Sequence, residues 1–240
     1  MGVWLYRNLG LVTIYNLERI NTLIISDLHL GNISNPNEVI NILHKYRFNR
    51  LILCGDIFDS LNFSRIRKPE WRLLGEIRKV SKRAEVEWVE GNHDIGIADV
   101  ISHLVGSEVH MEYQWQIGDK KFLAIHGHQF DNLFWVSPKM SKIGSFFYRL
   151  LTHLPWGKSL TKLIFGAEQS FSRSSERIKE RAVHHAKHLG VNCVICGHTH
   201  KAERKFVDKI EYVNAGGWTE RPFSYVVIHP DGIVSLKFYT

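Results

Sequence analysis

Thr22-Leu23-Ile24-Ile25-Ser26-Asp27-Leu28-His29 is an apolar run that ends in a carboxylate and an imidazole two residues apart. Further along, Leu51-Ile52-Leu53-Cys54 leads into Gly55-Asp56-Ile57-Phe58-Asp59, and Glu85 to Val89 leads into Glu90-Gly91-Asn92-His93-Asp94. Phe122 to Ile125 precedes His126-Gly127-His128, and Cys193 to Cys196 precedes Gly197-His198-Thr199-His200. Short apolar runs bounded by turn residues predict buried strands. Metal-binding side chains at the carboxyl ends of successive strands are where an α/β protein builds a site.

Between these runs the periodicity changes. Pro36 to Arg47 predicts a helix, with Asn35 as its cap, proline in the first turn, and Val39, Leu43 and Tyr46 on one face. Pro69 to Lys82 places Leu73, Leu74, Ile77 and Val80 in the same way, and Ser174 to Leu189 predicts a third helix stopped by Gly190. Val109, Met111, Tyr113, Trp115 and Ile117 alternate with polar residues and predict one half-buried strand. Short strands are expected at Glu211–Val213, Ser224–Ile228 and Val234–Tyr239, with an edge strand at Val12–Tyr15. Strand–helix alternation followed by antiparallel strands implies an α/β sandwich with helices on the outer faces of packed sheets.

The chain of 240 residues suits one sizeable domain, and its 44% apolar and 23% charged residues are ordinary for a globular protein. No stretch is apolar for the ~18 residues a membrane-spanning helix needs. Met1 to Arg7 lacks a secretory pattern, and Tyr6 breaks the myristoylation pattern, so a cytoplasmic location is expected. The three cysteines fit a reducing compartment. Cys193 and Cys196 spell C-x-x-C, but three residues apart on a strand they point to opposite faces and cannot grip one metal. A net charge of +7 suits an anionic partner, whether nucleic acid, phosphorylated substrate or acidic membrane; plain solubility explains it equally well.

One stretch breaks the strand–helix rhythm. From about residue 133 to 170 the chain reads as a helical, lid-like insert rich in large apolar residues such as Phe134, Trp135, Phe147 and Trp156. Its charges between Leu133 and Phe165 are Lys139, Lys142, Arg149, Lys158 and Lys162, with no acid among them. Such a segment suits a lid over a lipid-bearing substrate or contact with an anionic membrane surface.

Asp27 and His29, two apart in an extended loop, can reach one ion from the same side. Asp56 can bridge two cations with its two oxygens, Asn92 offers a carbonyl oxygen, and His126, His198 and His200 offer ring nitrogens. This oxygen and nitrogen donor set suits Mn²⁺, Fe or Zn²⁺, and the lack of thiolates argues against a structural zinc site. Taken singly, each residue is more often a hydrogen-bonded turn residue than a ligand. Their order and spacing together carry the reading.

That order resembles the calcineurin-like metallophosphoesterase superfamily, whose five-block pattern is matched by the five motifs quoted above across residues 27 to 200. The resemblance implies a four-layer α/β/β/α sandwich of two mixed β-sheets flanked by helices, in a single domain over residues 1–240. It implies two divalent ions, most simply Mn²⁺, with Zn²⁺ or Fe as alternatives. Asp27, His29, Asp56 and His200 would hold one, and Asp56, Asn92, His126 and His198 the other. Water activated by the pair would attack phosphorus while His93 protonates the leaving oxygen. Asp94 would orient His93, and Asp59 would brace the loops from behind the ligands. Asn92, His93, His128 and Arg204 are the candidates for contact with substrate.

Within the superfamily the chain looks most like the branch of UDP-2,3-diacylglucosamine hydrolases, on Ser26-Asp27-Leu28-His29-Leu30, the insert after His126 and Tyr212-Val213-Asn214-Ala215-Gly216-Gly217-Trp218. It departs from them at His93, where they usually carry Arg, and at His128, where they carry Asp. The implied substrate is a phosphorylated small molecule or a lipid-nucleotide pyrophosphate, cut at the inner face of a membrane. A nuclease or cyclic-nucleotide phosphodiesterase is the alternative, although base-stacking aromatics would then line an open groove rather than gather in one insert. A non-catalytic metal-binding scaffold is the reading of a different class. His184 and His188 share a helical face and could bind metal, though a solvated basic face explains them as well.

Overall fold

The apolar runs become strands, and the turn residues after them converge. The computed structural model describes residues 17–96, 98–131 and 167–239. In chain order these form β1 (Glu18–Arg19), β2 (Thr22–Ile25), helix α1 (Pro36–Lys45), β3 (Tyr46–Arg47), β4 (Arg50–Cys54), α2 (Lys68–Val80), β5 (Glu85–Val89) and α3 (Ala98–Val105). There follow β6 (Glu108–His110), β7 (Glu112–Ile117), β8 (Lys120–Ile125), α4 (Ala167–Leu189) and β9 (Cys193–Cys196). The chain ends on β10 (Glu203–Val207), β11 (Ile210–Asn214), β12 (Phe223–Ile228) and β13 (Val234–Tyr239). The expected insert over residues 133–166 and the expected strand at Val12–Tyr15 lie outside the described residues.

Two mixed sheets result. One runs β13-β12-β2-β4-β5-β6, with β2, β4, β5 and β6 parallel, β12 antiparallel to β2, and β13 antiparallel to β12. The other runs β10-β11-β9-β8-β7, with β11, β9 and β8 parallel between antiparallel edges. Strands buried on both faces read as continuous Ile, Leu and Val rather than as alternation, which is why β2 and β4 carry no polar face.

Three apolar clusters separate four layers. Leu23, Ile25, Leu51 and Leu53 meet Val39, Leu43, Leu73 and Ile77, so α1 and α2 cover the outer face of the six-stranded sheet. Ile24, Ile52 and Val89 meet Phe122, Ala124, Ile195 and Val213 between the sheets. Leu123, Ile125, Val194 and Tyr212 meet Ala182, Val183 and Ala186 of α4. Cys193 packs between the sheets and Cys196 beneath α4, on opposite faces as their spacing requires.

The structure corrects three local expectations. The alternating run from Val109 to Ile117 is not one strand: β6 joins the six-stranded sheet, β7 the five-stranded one, and exposed Met111 marks the crossing. Periodicity reports which face is buried but not which sheet buries it. Helix α1 stops at Lys45, and Tyr46–Arg47 instead pair with β1, while buried Tyr46 shares a hydrogen bond with the Tyr225 hydroxyl. Asn35 makes no side-chain cap; its amide donates to the Trp218 carbonyl, tying the start of α1 to the loop after β11.

Buried Glu70 of α2 secures the loop that carries His29. Its carboxylate accepts the Gly31 and Arg67 amides and the Ser34 hydroxyl. Burial disfavours the charge, but these donors hold its pKa below the usual value of 4.5. A depressed folded pKa stabilises above the unfolded value, and that contribution is lost as the pH falls through the folded one. Glu70→Gln is therefore expected to cost about 1–3 kcal/mol at pH 7 and to flatten the acid side of the stability curve below about pH 4.5. Urea melts from pH 7 down to pH 3 check both; a penalty that does not shrink toward the acid end would contradict this account.

Candidate metal centre

All five motifs sit at one edge, where the carboxyl ends of the parallel strands from both sheets meet. The loops after β2 and β4 lie along each other: the amides of Asp27, His29 and Leu30 donate to the carbonyls of Gly55, Asp56 and Ile57. Seven non-glycine residues among those described adopt positive φ, and five are expected ligands: Asp27 (54°), His29 (47°), Asp56 (51°), His198 (66°) and His200 (54°). The other two, Asp208 and Lys209, form the turn between β10 and β11. A left-handed conformation costs about 1–2 kcal/mol per residue, and it persists where surrounding structure imposes it at a functional site.

In Asp27, Asp56 and His126 one polar atom is anchored and the other faces the centre. Asp27 Oδ2 accepts the His198 amide at 3.1 Å, while buried Oδ1 has no hydrogen-bond partner. Asp56 Oδ1 accepts the His93 amide at 2.8 Å, and its Oδ2 lies 3.4 Å from His126 Nε2 and 3.9 Å from both His29 Nε2 and His93 Nε2. His126 Nδ1 is held by the Cys54 carbonyl at 2.9 Å, which leaves buried Nε2 without a hydrogen-bond partner. Asn92 Oδ1 is likewise buried and unpartnered. His29 Nε2 and His200 Nε2 approach within 3.2 Å, and two ring nitrogens at that distance need a proton or a cation between them. Ligand atoms of Asp27, His29 and His200 lie within 4.8 Å of one another, as do those of Asp56, His126 and His198. Unpartnered buried oxygens and nitrogens aimed at shared points fit divalent cations, with Asp56 facing both groups.

A family model for the calcineurin-like phosphoesterase superfamily domain matches residues 20–232. The chain belongs to that superfamily. No curated protein matches it. Among solved structures, an archaeal phosphodiesterase is similar at TM-score 0.50 and 17% identity, covering 91% of this chain and 99% of its own. Vacuolar protein sorting 29 from Cryptosporidium parvum is similar at TM-score 0.51 and 17% identity, with 91% and 95% covered. At such identities the likeness concerns the fold, and the two mixed sheets seen here agree with it.

The electrostatics of this centre favour bound positive charge. Burial disfavours ionisation of Asp27, yet His200, whose Nε2 lies 3.2 Å from Oδ1, outweighs it and lowers its pKa. Asp56 is likewise buried, and His126, His93 and His29 together hold its carboxyl well below the usual range. Burial would neutralise His126, but the Asp56 carboxylate pushes its pKa up to about 9. Burial, with the charges of His126 and His198 beside it, outweighs the Asp56 carboxylate at His128 and takes its pKa down to about 3. The field that holds a proton on His126 would hold a cation better.

Two expected roles are corrected. Asp94 does not orient His93: its carboxylate accepts the amides of Ile57 (3.2 Å) and Phe58 (3.0 Å), and burial near Asp56 raises its pKa to about 6. His93 is held instead by the backbone carbonyl of Asp59, which its Nδ1 meets at 2.7 Å. The Asp59 side chain accepts Asn32 Nδ2 at 2.9 Å and Arg65 Nη1 at 2.7 Å. Arg204 is not turned to a substrate; its Nε donates to Glu211 at 2.7 Å. Glu211 stands level with Cys193 at the amino end of β9, whereas the centre lies beyond the carboxyl end. His128 is buried beside His126, with ring centroids 5.5 Å apart. His184 and His188 of α4 line an open groove of about 450 Å³ with Phe130, Arg181 and His185.

Two residues that sequence reasoning missed complete the surroundings. Thr219 Oγ1 lies 3.3 Å from His200 Nδ1, and Asp131 Oδ2 lies 3.3 Å from His198 Nε2. Both adjoin quoted motifs, but only the fold brings them to the histidines.

Proposed function

We propose that this protein hydrolyses a phosphodiester or pyrophosphate bond with two divalent ions, most simply Mn²⁺. Asp27, His29, Asp56 and His200 would hold one ion, and Asp56, Asn92, His126 and His198 the other. The observation that carries the reading is the convergence of left-handed, anchored ligand residues on Asp56, with unpartnered donor atoms facing inward. Bound there, the ions would supply an acidified water and neutralise charge on the phosphoryl oxygens.

The chain's own residues supply the rest. The Asp59 carbonyl engages His93 Nδ1, so Nε2 is the ring atom left for the substrate. The His93 side chain is 40% exposed and stands where an incoming phosphate can reach it. In its imidazolium form His93 gives the Nε2 proton to the departing oxygen. Arg65, held at the rim by Asp59, adds positive charge beside the same position. A lipid-linked nucleotide is the substrate class that the resemblance and the apolar composition of residues 133–165 favour, with contact at an anionic membrane surface. Among the described residues no helix is long and apolar enough to cross a membrane.

His93→Ala is expected to lower kcat on bis-p-nitrophenyl phosphate with Mn²⁺ by about 10²–10⁴-fold, with metal binding retained. Steady-state kinetics alongside Mn²⁺ titration check this. Full activity without His93 would exclude it as the proton donor, and an inactive wild-type protein would overturn the reaction itself.

A further inference from the structure

The two ligand groups differ in charge. Asp27 gives the first group a carboxylate of its own, while the residues particular to the second, Asn92, His126 and His198, are all neutral donors apart from the shared Asp56. One more acid stands beside the second group: Asp131 Oδ2 lies 3.3 Å from His198 Nε2, with both side chains largely sheltered from solvent.

Asp131 is placed rigidly. The Phe130 and Asp131 amides donate to the carbonyls of Gly127 and His128, closing a tight turn directly after His126. Helix α4 clamps that turn through Arg181 Nη1, which donates to the Phe130 carbonyl at 2.8 Å. The neighbouring ligand His126 is held by its far nitrogen, as are His200 and the proton donor His93, but their partners are uncharged: the Cys54 carbonyl, the Thr219 hydroxyl and the Asp59 carbonyl. Of these four rings, His198 is the one whose outer nitrogen meets a carboxylate.

We propose that Asp131 is the positioning residue of the second metal group. It fixes His198 through Nε2 and adds a carboxylate beside a group whose other carboxylate is the shared Asp56. A carboxylate behind a metal-binding histidine sets its tautomer and raises its basicity, and losing such a partner costs about 10–100-fold in metal affinity. This inference rests on the two-metal reading above and assigns the tighter control of one of its two sites.

The test is Mn²⁺ titration of the full chain, by calorimetry and by the electron paramagnetic resonance signal that separates lone from paired Mn²⁺. Wild type should bind two ions and show the paired signal. Asp131→Asn and Asp131→Ala should keep one ion at wild-type affinity, bind the second about 10–100-fold more weakly, and show the lone signal at one equivalent. The metal-free melting temperature should stay near that of wild type, which separates positioning from folding. Two ions bound as tightly as in wild type, or equal weakening of both, would overturn the role of Asp131. A wild-type protein that binds no Mn²⁺ would overturn the metal reading itself, and Asp131's role with it.

Discussion

Asp56→Asn is expected to reduce hydrolysis of bis-p-nitrophenyl phosphate by roughly 10³-fold or more, the loss typical when a group that stabilises transition-state charge is removed. Asp56 is singled out because its Oδ2 faces His29, His93 and His126 at 3.4–3.9 Å while its Oδ1 is anchored by the His93 amide. Asparagine keeps the size and can still accept that amide, so the local fold should survive. What it removes is the charge that both ligand groups share and that holds His126 up to about 9. Kinetics at saturating Mn²⁺, paired with a metal-binding titration, read both consequences. Activity within tenfold of wild type would show that Asp56 is not the shared ligand.

Gly91→Ala is expected to be severely damaging for the addition of a single methyl. A Cβ at Gly91 would fall well inside contact with the Asp56 backbone nitrogen and Oδ1, and with the Gly55 carbonyl carbon. None of these is the loose end of a flexible side chain, so two loops must part. Over-packing of this kind costs about 3 kcal/mol at the upper end of its usual range. Here the displaced atoms also belong to the centre, so stability and metal binding should fall together. Denaturant melts with and without Mn²⁺ check this: the metal-induced gain seen in wild type should be absent in the variant. A Gly91→Ala protein that melts like wild type and gains as much from Mn²⁺ would refute the close approach.

The order of the motifs was legible because each carries its own local signal. An apolar run ending in Asp-x-His, or in Gly-Asp, is readable without any partner, and five such signals in sequence point to one family and one fold. The helices were legible for the same reason, since Leu73, Leu74, Ile77 and Val80 mark the buried face of α2 by spacing alone. The alternating run from Val109 to Ile117 misled because alternation is local while sheet membership is not. The chain crosses between sheets at Met111 without disturbing the pattern.

The supporting partners were not legible. Asp94 adjoins His93 in sequence, which suggests a pair, yet its carboxylate satisfies the Ile57 and Phe58 amides. The Asp59 carbonyl, 34 residues away in sequence from His93, takes the expected role. A backbone carbonyl has no sequence signature, so no reading of residue types could have found it. Arg204 looked available because it follows the last motif, but β10 carries its side chain toward Glu211 at the far end of the sheet.

Donor chemistry was thus written in the sequence: which residues can bind a cation, in what order, and each at the end of which strand. Tertiary structure decided which atom of each donor faces inward, because that depends on what anchors the other atom. Those anchors are the His198 amide for Asp27, the Cys54 carbonyl for His126, and Asp131 for His198. They lie 67 to 171 residues from the side chains they hold, and only the packing of two sheets face to face brings them within hydrogen-bond reach.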